Sequence, residues 1–276
     1  MGQLEKFIPI CYTFLSYKIQ IFDGGVFMAK YTLDTDFQTL KPTEAVKWMC
    51  EFSKMAEEAF ANQNNKTCLL GHLLLLKAYT NTVQHGLKAQ GKMLFSLIQQ
   101  GIDFLSGYME GSMEPNEFQD FASNLYACVL EHNTGEELLD EQQAFCDEYF
   151  DDAELSTDEW LILEWVGGLL LELVVISGGE LDFDFYEEFE DVEHIDLFYN
   201  IETLLNGLAD NYVNLLEISN YNQVYQTKEY QNVVSFVCGS LRSALYATPE
   251  QFALLQKEYK EKLVVPEEHA MTIITF

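Results

Sequence analysis

Residues 93–227 contain no lysine and no arginine, yet they carry 31 aspartates and glutamates. The rest of the chain holds 14 acids against all 15 basic residues, so the formal charge of −30 resides in this one segment, between two nearly neutral flanks. A long block of like charge ordinarily marks a solvated tail. Here 48 % of the residues are hydrophobic and 14 % aromatic, which is too apolar for charge-driven disorder. The chain must bury many Leu, Phe and Tyr while holding its carboxylates in water. An amphipathic helix does both at once, packing one stripe inward and solvating the opposite face.

The apolar spacing agrees. Val46, Cys50, Phe52, Met55 and Phe60 fall on one stripe of a helix opened by Lys41-Pro42-Thr43-Glu44 and running to Asn62. Thr67 is expected to cap a helix through Leu69, Leu73, Leu76 and Tyr79, with Gly86 and Gly91 interrupting the pattern before 93–108 resumes it. Glu114-Pro115-Asn116-Glu117 opens another helix, and Thr134 is expected to cap the one through Leu138, Leu139, Phe145 and Tyr149. Ser156-Thr157-Asp158-Glu159 is a capping box, and the helix behind it, 160–176, is apolar nearly all round, which places it at the centre of the core. Ser177-Gly178-Gly179 ends it.

Beyond that point, 183–216 supplies one or two helices broken near Asn206-Gly207, 221–225 a polar turn, and 229–246 a further helix. Thr248-Pro249-Glu250-Gln251 is a second capping box whose helix reaches Lys262, and the β-branched tail 264–276 suits a lone strand. About nine or ten helices with short loops predict an all-α protein, an irregular multi-helix bundle or helical stack. With no fixed repeat and no Pro/Ser-rich linker, 28–276 reads as a single domain with a soft boundary near 177–179.

Residues 1–27 include a strand-like apolar run, 7–22, without a signal-peptide cleavage pattern. Met28 follows Gly24-Gly25-Val26-Phe27, and two glycine codons can read GGAGG at ribosome-binding distance from a start codon. One reading makes Met28 the natural start, 1–27 an upstream extension, and the source a bacterium or phage. The other makes 1–27 a genuine N-terminal strand or helix.

The six cysteines are scattered, with no C-x-x-C pair, which suits reduced thiols in a cytoplasmic protein. No uncharged apolar run reaches the roughly 18 residues of a membrane span, and the nearest, 165–176, carries Glu172. Motifs for known chemistry fail at their decisive positions. The run from Gly86 to Met93 resembles a phosphate-binding loop but ends in Met93, where a Mg²⁺-ligating hydroxyl belongs. Asp182-Phe183-Asp184 begins like a calcium loop, but Tyr186 and Glu187 stand where a ligand and glycine are needed; 147–158 fails similarly, at Tyr149 and Asp152. Asp191 and His194, three residues apart, provide at best one arm of a di-iron site. No catalytic residue, cofactor or metal is assigned.

What remains is the charge itself. It disfavours direct binding to nucleic acid or anionic lipid, both polyanions, and favours a basic protein partner. Salt adaptation would deplete lysine everywhere, whereas here the depletion is local. Duplex DNA carries one charge per roughly 1.7 Å of axis, a density that acidic helices can rival. The leading expectation is a non-enzymatic acidic inhibitor that binds and blocks a basic, nucleic-acid-handling protein: a DNA-mimic-like phage anti-defence protein, or the immunity protein of a nuclease toxin. Alternatives are a helical scaffold or regulatory subunit docking a basic partner, and a metal-dependent enzyme using some of the acids. The residues expected to meet the partner are Asp147, Glu148, Asp151, Asp152 and Glu154, then Asp182, Asp184, Tyr186, Glu187, Glu188, Glu190, Asp191 and Glu193. Aromatics are interleaved with the acids, among them Phe145, Tyr149, Phe150, Phe198 and Tyr199, some of which must be core. Phe183, Phe185, Tyr186 and Phe189 together exceed a single buried stripe, so some of these are candidate interface anchors.

Overall fold

The computed structural model describes residues 31–135, 137–151, 153–179 and 197–273, and among them there are twelve α-helices and no strand. The all-α expectation holds. Helices α1 (Pro42–Cys50) and α2 (Phe52–Phe60) replace the single predicted helix, because Glu51 leaves the helical region (φ −108°, ψ 5°) and turns the chain between them. Asn64, not Thr67, caps α3 (Asn65–Ala89): its side chain accepts a hydrogen bond from the Thr67 N–H at 2.9 Å. Gly86 does not interrupt α3, and the chain turns instead at Gly91 (φ 78°) before α4 (Ser96–Glu110). The first residues of the Gly86–Met93 stretch are thus helical, which agrees with rejecting it as a phosphate-binding loop.

Helix α5 (Gln119–Thr134) follows a 3₁₀ turn at Pro115–Glu117. Thr134 closes α5 instead of capping its successor, with Gly135 in the left-handed region (φ 75°) as the stop signal. Helix α6 (Asp140–Phe150) leads to α7 (Thr157–Ile176), whose capping box forms as expected: Ser156 Oγ accepts from the Glu159 N–H, and the Glu159 carboxylate accepts from the Ser156 N–H. Helix α8 (Leu197–Leu215) runs unbroken through Asn206-Gly207. Then come α9 (Tyr221–Val224), α10 (Lys228–Leu245) and α11 (Phe252–Tyr259). The tail forms α12 (Glu267–Ile273), not a strand; Val264 and Val265 are buried ahead of it, and the Val264 N–H donates to Thr82 Oγ1 at 2.9 Å.

Two helices act as hubs. Helix α3 is buried over most of its length and is surrounded by α4, α10, α11 and α12, while α7, predicted as the central helix, packs against α4, α5 and α8. Buried apolar side chains from Leu33 to Ala270 form one contiguous cluster around both hubs. The hubs are also joined by polar contacts. Trp165 Nε1 on α7 donates to His72 Nδ1 on α3 at 3.3 Å, and complete burial pulls the His72 pKa down to about 3. His72 is thus neutral with its proton on Nε2, and its ring centre lies 4.7 Å from that of Phe198. The Tyr79 hydroxyl on α3 donates to the Asp158 carboxylate at the start of α7.

Candidate partner-binding face

The packing separates the charges. Helices α4 to α7 derive wholly from the cation-free segment and assemble on one another: α5 against α6 and α7, and α4 against α7. Every described lysine and the arginine lie on α1, α2, α3, α10 and α11 or in the turns beside them. Of the 20 described acids in the segment, 13 are exposed and only Asp158 and Glu159 are buried. The two populations meet along the α3–α4 seam, where the Lys66 ammonium lies 5.2 Å from the Tyr108 ring centre, and Lys77 feels the charges of Glu110 and Asp103.

Two adjoining grooves cut into the acidic half around the α6–α7 connection. One, of about 400 Å³, is lined by Asp147, Glu148, Asp151, Glu154 and Phe95, with Lys92 at its edge. The other, of about 570 Å³, shares Asp147, Asp151 and Glu154 and adds Glu131, His132 and Trp160. The structure therefore brings together the four expected partner-contacting residues that it describes, Asp147, Glu148, Asp151 and Glu154, all exposed. Asp152, Asp182, Asp184, Tyr186, Glu187, Glu188, Glu190, Asp191 and Glu193 lie outside the described residues. So do the calcium-like and di-iron-like patterns at 182–194.

The groove walls are held by elements that the sequence pattern only half reveals. Trp160 is stacked between His132 on α5, at 3.8 Å and 5°, and Phe150 on α6, at 5.5 Å and 16°. Phe95 packs on Phe150 in turn. Glu159 pins the floor: one carboxylate oxygen accepts from the Ser156 N–H and hydroxyl, both at 3.0 Å, while the other accepts from the Phe95 N–H at the start of α4, also at 3.0 Å. The box residue that begins α7 thus also fixes where α4 begins. Phe145, Tyr149 and Phe150 are half-buried against the core, and Phe198 is buried against Phe60 and His72, so these four are packing residues and not free anchors. Tyr199 is 43 % exposed, while Phe183, Phe185 and Phe189 lie outside the described residues.

Sequence reasoning misses Glu131, His132, Trp160 and the cysteines of the second groove, because they come from three helices and share no spacing signal. Cys128 on α5 is buried and Cys146 on α6 is half-buried, and the two thiols are near enough to shift each other's protonation. Burial pushes both thiol pKa values up, and the Glu131, Asp147 and Asp151 carboxylates push Cys146 further, against the lowering effect of the Cys128 hydrogen bond. Among the described residues, no three His, Cys, Asp or Glu side chains come together in a geometry that could hold a metal ion, and no helix is long and apolar enough to cross a membrane.

Comparison with models of protein families, with curated proteins and with solved structures finds no match.

Proposed function

We propose that the chain is a non-enzymatic acidic inhibitor that binds and blocks a basic, nucleic-acid-handling protein, with the α4–α7 half as the contacting surface. The observation that carries the reading is the segregation of charge: α4 to α7 carry exposed carboxylates and no cation, while the described lysines and the arginine lie on other helices or in the turns beside them, Lys92 alone among them lining a groove. Such a surface attracts a positive groove over distance, steering association and repelling other polyanions. The helices and the short connection between α6 and α7 hold the carboxylates in an array, so less conformational freedom is lost on binding than with an acidic tail. Asp147, Glu148, Asp151 and Glu154 ring the two grooves and give the array a concave centre. A phage anti-defence protein and an immunity protein against a nuclease toxin are the two biological settings that use this chemistry.

The test is affinity capture from bacterial lysate by the full chain and by the D147N/E148Q/D151N/E154Q variant. The expected result is one or a few basic proteins retained by the parent, lost with the variant, and eluted by added duplex DNA. Retention of the same proteins by the variant, or indifference to DNA, would remove the reading.

A further inference from the structure

The two thiols at the second groove are placed for a reaction that the partner reading does not use. Cys128 Sγ lies 3.9 Å from the carbonyl oxygen of Gln142. In an α-helix that carbonyl points at the N–H four residues on, here that of Cys146, so the Cys128 sulfur stands beside the Cys146 backbone as well as its thiol. Helices α5 and α6 pack directly on each other, and both cysteines line the same groove between them. Cys146 is half-buried there and Cys128 buried, so Cys146 is the more accessible of the two. The entrance is bordered by Glu131, Asp147, Asp151 and Glu154, and no lysine or arginine lines it.

We propose that Cys128 and Cys146 form an oxidisable pair, converted to an intramolecular disulfide by small cationic disulfides that the acidic groove admits. Cys146, the accessible member, gives up its proton to solvent, and its sulfur attacks one sulfur of the reagent. The Cys146–reagent bond forms, the reagent S–S bond breaks, and one reagent thiol leaves. The Cys128 sulfur, losing its proton likewise, then attacks Cys146, expelling the second reagent thiol and closing the Cys128–Cys146 bond. Two protein thiols are oxidised by two electrons, one reagent disulfide is reduced to two thiols, and the two protons end on those leaving groups. The product ties α5 to α6 across the groove wall that carries His132 and Asp147. An anionic disulfide such as oxidised glutathione meets the same carboxylates with the wrong charge.

The experiment treats the full chain with cystamine or with oxidised glutathione at mildly alkaline pH, quenches by alkylation, and maps peptides by mass spectrometry. The expected product is a cross-linked peptide pair joining Cys128 to Cys146, formed at least about tenfold faster with cystamine at low salt, with that preference shrinking at high salt. In C128S the reaction is expected to stop at a cysteamine adduct on Cys146, and in C146S the cross-link is absent. A stable cysteamine adduct on Cys146 of the parent protein, without cross-link, would overturn the pairing. Equal rates with the two reagents at low salt would overturn the role of the acidic groove.

Discussion

The Tyr79 hydroxyl donates a hydrogen bond to Oδ1 of Asp158 inside the seam between α3 and α7, where both residues are buried. Burial raises the Asp158 pKa from 3.8 to about 6, against the lowering effect of the Tyr79 bond, with the Glu159 charge raising it further. A carboxyl whose folded-state pKa exceeds its unfolded value contributes stability that is complete below about pH 4 and is lost as pH rises through about 6. The size of that contribution is on the order of 3 kcal/mol. Urea unfolding of the parent and of Asp158→Asn between about pH 4 and pH 7 is expected to show a steeper decline with pH for the parent. Parallel curves would contradict the buried assignment.

Glu159 is expected to be the more sensitive neighbour. Replacement by Ala removes acceptors from the Ser156 and Phe95 N–H groups together and loosens the starts of α7 and α4 at once. The predicted cost is about 3 kcal/mol, read as a shift in the urea midpoint. Glu159→Gln retains one acceptor and is expected to recover only part of it.

Two glycines give opposite predictions. A Cβ on Gly101 would lie 2.2 Å from Val166 Cγ1, where α4 crosses α7, so Gly101→Ala is expected to cost about 1–3 kcal/mol. Pairing it with Val166→Ala should restore part of the loss. Gly207 sits exposed within α8, with nothing within 4 Å of the place a Cβ would take, and Gly207→Ala is expected to stabilise by about 0.5–1 kcal/mol. Thermal melts of the three variants decide between these signs.

Self-repulsion among the exposed acids opposes folding, and salt screens it. Raising salt from low to about 0.5 M is expected to raise Tm by roughly 5 °C in the parent. The rise should be smaller in the D147N/E148Q/D151N/E154Q variant. A flat or falling response in the parent would mean that the carboxylates are not facing one another across water.

How much of this is legible in the residues varies with the kind of signal. The all-α class, the Ser156 capping box and the buried character of most of 162–174 follow from local spacing, which a helix expresses directly, although the last two residues of the predicted span, Val175 and Ile176, are exposed. Thr67 and Thr134 look like caps because each lies near a true boundary; the competing Asn64 and Gly135 decide the geometry. The β-branched tail suggests a strand, but two valines bury as a connector and the residues after Pro266 take a helix. Burial of Val264 and Val265 against the core overrides local preference there. The acidic residues of the candidate face are visible by charge alone. Trp160, His132 and the Cys128–Cys146 pair are not, because contacts between three separate helices leave no periodicity to read.

The central claim is that the acidic half occupies the site where a partner holds nucleic acid. The most direct measurement titrates the chain into a preformed complex of the captured basic protein with labelled duplex DNA and follows the DNA by fluorescence anisotropy. The account predicts stoichiometric release of DNA by the parent chain and little release by D147N/E148Q/D151N/E154Q. A ternary complex, with the partner bound to both the chain and the DNA, would contradict it and favour a scaffold that docks elsewhere on the same partner.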